Sequence, residues 1–128
     1  MKRYLLLIAV LTFACGGDDN PTGLSSSDLD KFLGKWAGMY ECGGPDDEMI
    51  IAKGSGTLDV KVTLHSHIAF VEVLDGELTD VNVITVPEQT IGGFPGSAKI
   101  TYANGQLSLE QMGFGITCKG SGYTRISN

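Results

Sequence analysis

The chain has 128 residues, with nine Lys and Arg against fifteen Asp and Glu, a formal net charge of −6 and 42% apolar residues. That length suits one small domain. So acidic a chain lacks the Lys/Arg density that nucleic-acid binding draws on through counterion release, and it has no polybasic patch for anionic lipid headgroups.

In chain order, Lys2 and Arg3 precede an apolar run over 4–14, and Cys15 opens a polar tail, Gly16-Gly17-Asp18-Asp19-Asn20. A basic start, a short apolar stretch and small Ala14 at the cut make residues 1–14 a secretory signal. The run is well short of the ~20 residues that span a bilayer. The Ala14-Cys15 junction with its acidic tail resembles the lipoproteins of Bacteroidetes. That resemblance implies that Cys15 carries the acyl chains (palmitate among them) and becomes the new N-terminus. It also implies anchoring in the outer membrane, with the acidic tail marking export to the cell surface. Membrane contact then comes from the acyl chains alone. A plain secreted protein cut elsewhere is the alternative.

Three cysteines are present, and the lipid takes one. Cys42 and Cys118 remain as an even pair, which an oxidising compartment converts to a disulfide. Closing a loop of roughly 77 residues is worth roughly 4–5 kcal/mol on a chain-entropy model.

Residues 16–27 are rich in Gly, Ser, Asp, Asn and Pro, the composition of a flexible tether, so the domain is expected over 28–128. Ser27 or Asp28 can cap one or two helical turns in which Leu29, Phe32 and Leu33 share a face, and Gly34 can end them. From Trp36 onward the period becomes two. The clearest strand is 57–64, where Leu58, Val60, Val62 and Leu64 alternate with polar residues. Further strands are expected at 36–42, 48–53, 67–74, 78–87, 98–103, 106–111 and 116–126. Turn signals separate them, among them Gly43-Gly44-Pro45-Asp46, Gly54-Ser55-Gly56, Asp75-Gly76, Asn104-Gly105 and Gly113-Phe114-Gly115. Many short strands with hairpin spacing indicate an antiparallel meander.

Leu33-Gly34-Lys35-Trp36, a Gly-x-Trp at the first strand, resembles the opening motif of lipocalin and calycin barrels. Val86-Pro87-Glu88-Gln89-Thr90, Gly96-Ser97-Ala98-Lys99-Ile100 and Cys118-Lys119-Gly120 resemble small lipocalin-like domains of Bacteroidetes lipoproteins. The resemblance covers about residues 30–127. It implies that the helical turn caps one barrel end and that Arg125 stacks on Trp36 as a cation–π pair. The cysteines agree independently. In an open sheet the first and last strands are distant edges, whereas in a closed barrel they are neighbours within disulfide reach. The expected fold is therefore all-β, a small antiparallel up-and-down barrel of about eight strands. A β-sandwich that juxtaposes the same strands is the alternative.

Candidate chemistry is sparse. His65 and His67, the only histidines, have metal-like i, i+2 spacing if one strand runs through both, but Ser66 suits a turn and no third ligand is close in sequence. Asp46-Asp47-Glu48 lacks the alternation and glycine of a calcium loop and suits a solvated turn. There is no Gly-x-Ser-x-Gly elbow or phosphate-cradling loop, and nothing calls for a cofactor.

The first function class is a non-catalytic surface binding module, with an envelope protein, a host component or a polymer as partner. Its candidate contact loops are 43–47 and 90–96, with Pro45, Phe94 and Pro95 presenting an apolar surface. The lipocalin resemblance implies the second, a carrier of a small hydrophobic ligand. An enzyme is a distant third. Inward positions such as Trp36, Tyr40, Leu58, Val60, Val62, Phe70, Ile84, Ile100, Tyr102 and Leu109 are large enough to fill a short barrel.

Overall fold

The computed structural model describes residues 23–65, 71–91, 93–113 and 115–128. The expected signal segment, Cys15, His67 and Phe70 lie outside the described residues, as does the side chain of His65. A short 3-10 turn, η1 (Ser26–Leu29), precedes eight strands: β1 (Gly34–Tyr40), β2 (Gly44–Lys53), β3 (Asp59–His65), β4 (Val71–Asp80), β5 (Val83–Ile91), β6 (Phe94–Ala103), β7 (Gln106–Gly113) and β8 (Ile116–Ser127). Each strand pairs antiparallel with the next, and β8 closes on β1, giving an up-and-down barrel. Closure of the sheet on itself excludes the sandwich.

The period-two pattern dictates what lies inside. Met49 and Ile51 on β2, Val60, Val62 and Leu64 on β3, and Ile84 and Val86 on β5 are buried, while alternate positions face out. All eight strands, with Leu29 and Phe32, contribute to one buried apolar cluster. Leu58, Tyr40 and Tyr102 are half-buried against it.

Several boundaries differ from expectation. The helical segment is one 3-10 turn that starts earlier, with Ser25 as its cap. The Ser25 N–H donates to Asp28 Oδ2 at 2.8 Å, which holds the Asp28 carboxyl below its usual pKa. Leu24 already packs on the core, ahead of the expected domain start. Gly34 begins β1 with φ 123° instead of ending a helix. Asn104-Gly105 is a tight hairpin turn with positive φ at both residues, as predicted. Asp75-Gly76 is no turn: β4 runs straight through it, and the chain reverses at 81–82. Gly76 suits the crowding there, since a Cβ would press on Val60, Ile84 and Val86 at 3.1–3.3 Å and push them back by a few tenths of an ångström.

The barrel has two distinct ends. The base holds η1 and the connections after β2, β4 and β6. The mouth holds those after β1, β5 and β7.

Candidate functional site

The base is tightly built. Trp36 is 1% exposed, and its Nε1 donates to Phe32 O at 2.8 Å. The Arg125 guanidinium lies 4.9 Å from the Trp36 ring centroid, and its Nη2 donates to Lys31 O at 2.5 Å. Lys31 in turn donates to Asn82 Oδ1 at 2.7 Å, and Phe32 meets Tyr102 edge-on with centroids 5.8 Å apart. Trp36 and Arg125 therefore tie the first strand, the last strand and the chain before β1 together. These contacts hold the base together.

Toward the mouth the interior becomes polar. Tyr123 is fully buried and its hydroxyl donates to Asp47 Oδ2 at 2.7 Å, with Asp47 only 3% exposed. Tyr40 donates to Gln111 Oε1 at 2.8 Å. Burial, followed by the charge of nearby Asp47, pushes the Tyr40 pKa up to about 12. Burial likewise raises Tyr123, and its hydrogen bond to Asp47 adds to the shift. The Tyr123 ring fits because Gly38 and Gly120 lie beneath it. A Cβ at either would come within 2.7 Å of the side chain. Both tyrosines thus stay neutral donors, an arrangement suited to holding geometry and not to proton transfer near neutral pH.

Above this layer an apolar cleft of about 200 Å³ opens at the mouth, lined chiefly by Tyr40, Ile91, Phe94, Pro95, Met112 and Ile116. Phe94, Met112 and Ile116 are 49%, 45% and 61% exposed. Such side chains clustered at one rim are the kind of patch that marks contact sites. Cys118 also lines the cleft. It is joined to Cys42 with Cα atoms 5.8 Å apart, within normal disulfide span. Cys42 lies in the turn after β1 and not on the strand itself. Glu41 N donates to Lys119 O at 2.9 Å, carrying the β1–β8 ladder one rung beyond Tyr40 and Gly120. The disulfide therefore clamps the barrel closure at the mouth.

The two expected contact loops are corrected in shape. Residues 90–96 form no long loop, because β5 reaches Ile91 and β6 begins at Phe94. Phe94 and Pro95 nevertheless line the cleft. In 43–47, residues from Gly44 onward belong to β2, and Asp47 is a buried residue where none was expected. Pro45 is exposed on that strand and does not line the cleft. Asp46-Asp47-Glu48 does not act together: Asp46 is exposed, Asp47 bonds to Tyr123, and Glu48 pairs with Lys35 at 3.0 Å. Among the described residues no cluster of three or more metal-ligating side chains forms.

Sequence reasoning missed the Asp47–Tyr123 and Tyr40–Gln111 pairs. A signal existed for the first, since Asp47 shares the period-two face of Met49 and Ile51. No family model matches this chain, and no curated protein matches it.

Proposed function

We propose that the protein is a non-catalytic, lipocalin-like lipoprotein of the cell envelope, anchored through Cys15 and displayed at the outer membrane as a binding module. The observation that carries this reading is the apolar mouth cleft with its exposed Phe94, Met112 and Ile116. Its volume, about 200 Å³, lies below the ~300–1,000 Å³ of small-molecule pockets. That size suits contact with one or two side chains of an envelope protein, or a segment of a polymer, better than enclosure of a ligand. The sheet closes around a buried apolar cluster that all eight strands supply, which supports a packed barrel.

A carrier of a small hydrophobic ligand is the second reading. It is favoured by Tyr40 and Ile91, which line the cleft and also pack against the core, so the cleft floor abuts the apolar interior.

Photo-cross-linking in the native envelope tests the first reading. A photoreactive residue at position 94 or 116 should give a discrete protein or polymer adduct, and one at Val81, exposed at the base, should not. Equal labelling from both ends would overturn it. So would a small apolar molecule co-purifying at near-stoichiometric occupancy in native mass spectrometry, which would establish the carrier.

A further inference from the structure

The barrel wall is unevenly sewn. Three rungs join β4 to β5, namely Glu77↔Thr85, Leu78↔Ile84 and Asp80↔Val83, all in the base half. The flanking pairs β3–β4 and β5–β6 each have seven. The cause is legible in β5. Extending its register past Gly76 and Val86 would oppose Asp75 to Pro87, and proline has no N–H to give. Gln89 fills in with its side chain. Its Nε2 donates to Asp75 O at 2.8 Å and to Pro87 O at 3.1 Å, and its Oε1 accepts from Asp75 N at 3.0 Å. A carboxamide carries the same donor and acceptor as a peptide group. Asp75 is therefore bonded as though by a strand that is not there.

Antiparallel pairing alternates the direction of backbone groups. Since Asp75 presents its N–H and C=O toward β5, Val73 presents its own the same way. No β5 residue stands in register with Val73, whose side chain is 59% exposed. Beside the seam runs a groove of about 440 Å³ lined by Asp59, Lys61, Asp75, Glu77 and Pro87 among others. Its charged lining is three carboxylates against one lysine, and that lysine is ion-paired with Asp75.

We propose that the β4–β5 seam binds an extended basic peptide segment of a partner protein as an added strand. The peptide's backbone takes over the Asp75 groups from the Gln89 carboxamide and engages those of Val73. Its Lys or Arg side chains lie over Asp59, Asp75 and Glu77. Main-chain bonds then supply affinity, and the acidic groove selects charge. The seam shares no lining residue with the mouth cleft, so this inference does not rest on the function proposed for that cleft.

The test uses the full chain in a non-ionic detergent and a fluorescent peptide of alternating lysine and valine, roughly eight residues long to match a strand. Binding is read by anisotropy and located by hydrogen exchange. The peptide should bind, with added protection in 72–77. Replacing its lysines by glutamate should weaken binding by roughly tenfold or more. Pro87→Val, which restores the missing donor and lets the seam zip, should weaken it comparably. Val73→Pro offers a second variant in which only an N–H facing the seam is lost, a position where proline is tolerated, and it too should weaken binding. Absence of binding, protection confined to the mouth strands, or affinity unchanged by the charge swap or by both variants would overturn the proposal.

Discussion

Substituting Phe for Tyr123 deletes one hydroxyl and keeps the ring that lies over Gly38 and Gly120. The hydroxyl is fully buried, and its acceptor Asp47 is almost equally so. A hydrogen bond to a charged acceptor contributes about 1.5–3 kcal/mol, so Tyr123→Phe should cost about that much, read from the urea midpoint at constant m-value. Alkaline pH gives an independent readout. Both Tyr123 and Tyr40 have folded-state pKa values raised above 10.0. The unfolded chain then releases its tyrosine protons first. The stability these groups contribute is complete below about pH 10 and is lost as pH rises through the folded values. Wild type should weaken above that pH, with Tyr123 contributing at most about 1.4 kcal/mol per pH unit, and the Phe variant should fall less steeply. A variant within about 0.5 kcal/mol of wild type, or one with the wild-type alkaline slope, would refute the reasoning.

Trp36→Ala removes the ring held between Phe32 and Arg125 and should cost roughly 3–5 kcal/mol in a denaturant melt; near-wild-type stability would contradict the described base. Denatured, unreduced protein should show no reactive thiol, and replacing Cys42 and Cys118 together by Ala should lower stability by roughly 2–5 kcal/mol, with the chain-entropy value at the upper end. Two titratable thiols, or an undiminished melt, would remove the clamp from the account. Cys15→Ser in the native host should move the protein from the detergent-extracted membrane fraction to the soluble one, and retention in membranes would sink the lipid anchor.

The sequence carried the barrel through two signals that act at different ranges. Alternation along 57–64 and its counterparts set which side chains face in, and the Cys42/Cys118 pair demanded that first and last strands meet. Local turn chemistry was less dependable. Asn104-Gly105 is a hairpin turn, whereas Asp75-Gly76 has similar local chemistry and sits inside β4. What separates them is tertiary. Gly76 suits the close approach of Val60, Ile84 and Val86, contacts that no local window contains. Asp47 was obscured in the same way. A run of three acids suggests solvent, and only the distant Tyr123 hydroxyl makes its burial tolerable. Pro87 and Gln89 were legible as residues, but their joint effect on the β4–β5 seam depends on a strand register that the sequence left open.

The placement of the two ends bears on what the mouth can meet. The chain joins the barrel through η1 at the base, where Lys31 and Arg125 fasten it, and the apolar cleft opens at the other end. Residues 15–23 reach at most roughly 30 Å when fully extended. Strands of seven to twelve residues make the barrel itself roughly 25 Å tall once tilt is allowed for. If Cys15 is acylated, an upright domain holds its base toward the bilayer and its cleft away from it. Lipid would then reach Phe94 and Ile116 only if the domain lay on its side or inverted on a nearly fully extended tether, and either pose brings an acidic protein against anionic headgroups without a basic patch to offset the repulsion. A cleft so placed would open toward the medium, the orientation that the proposed contact with a protein or polymer requires.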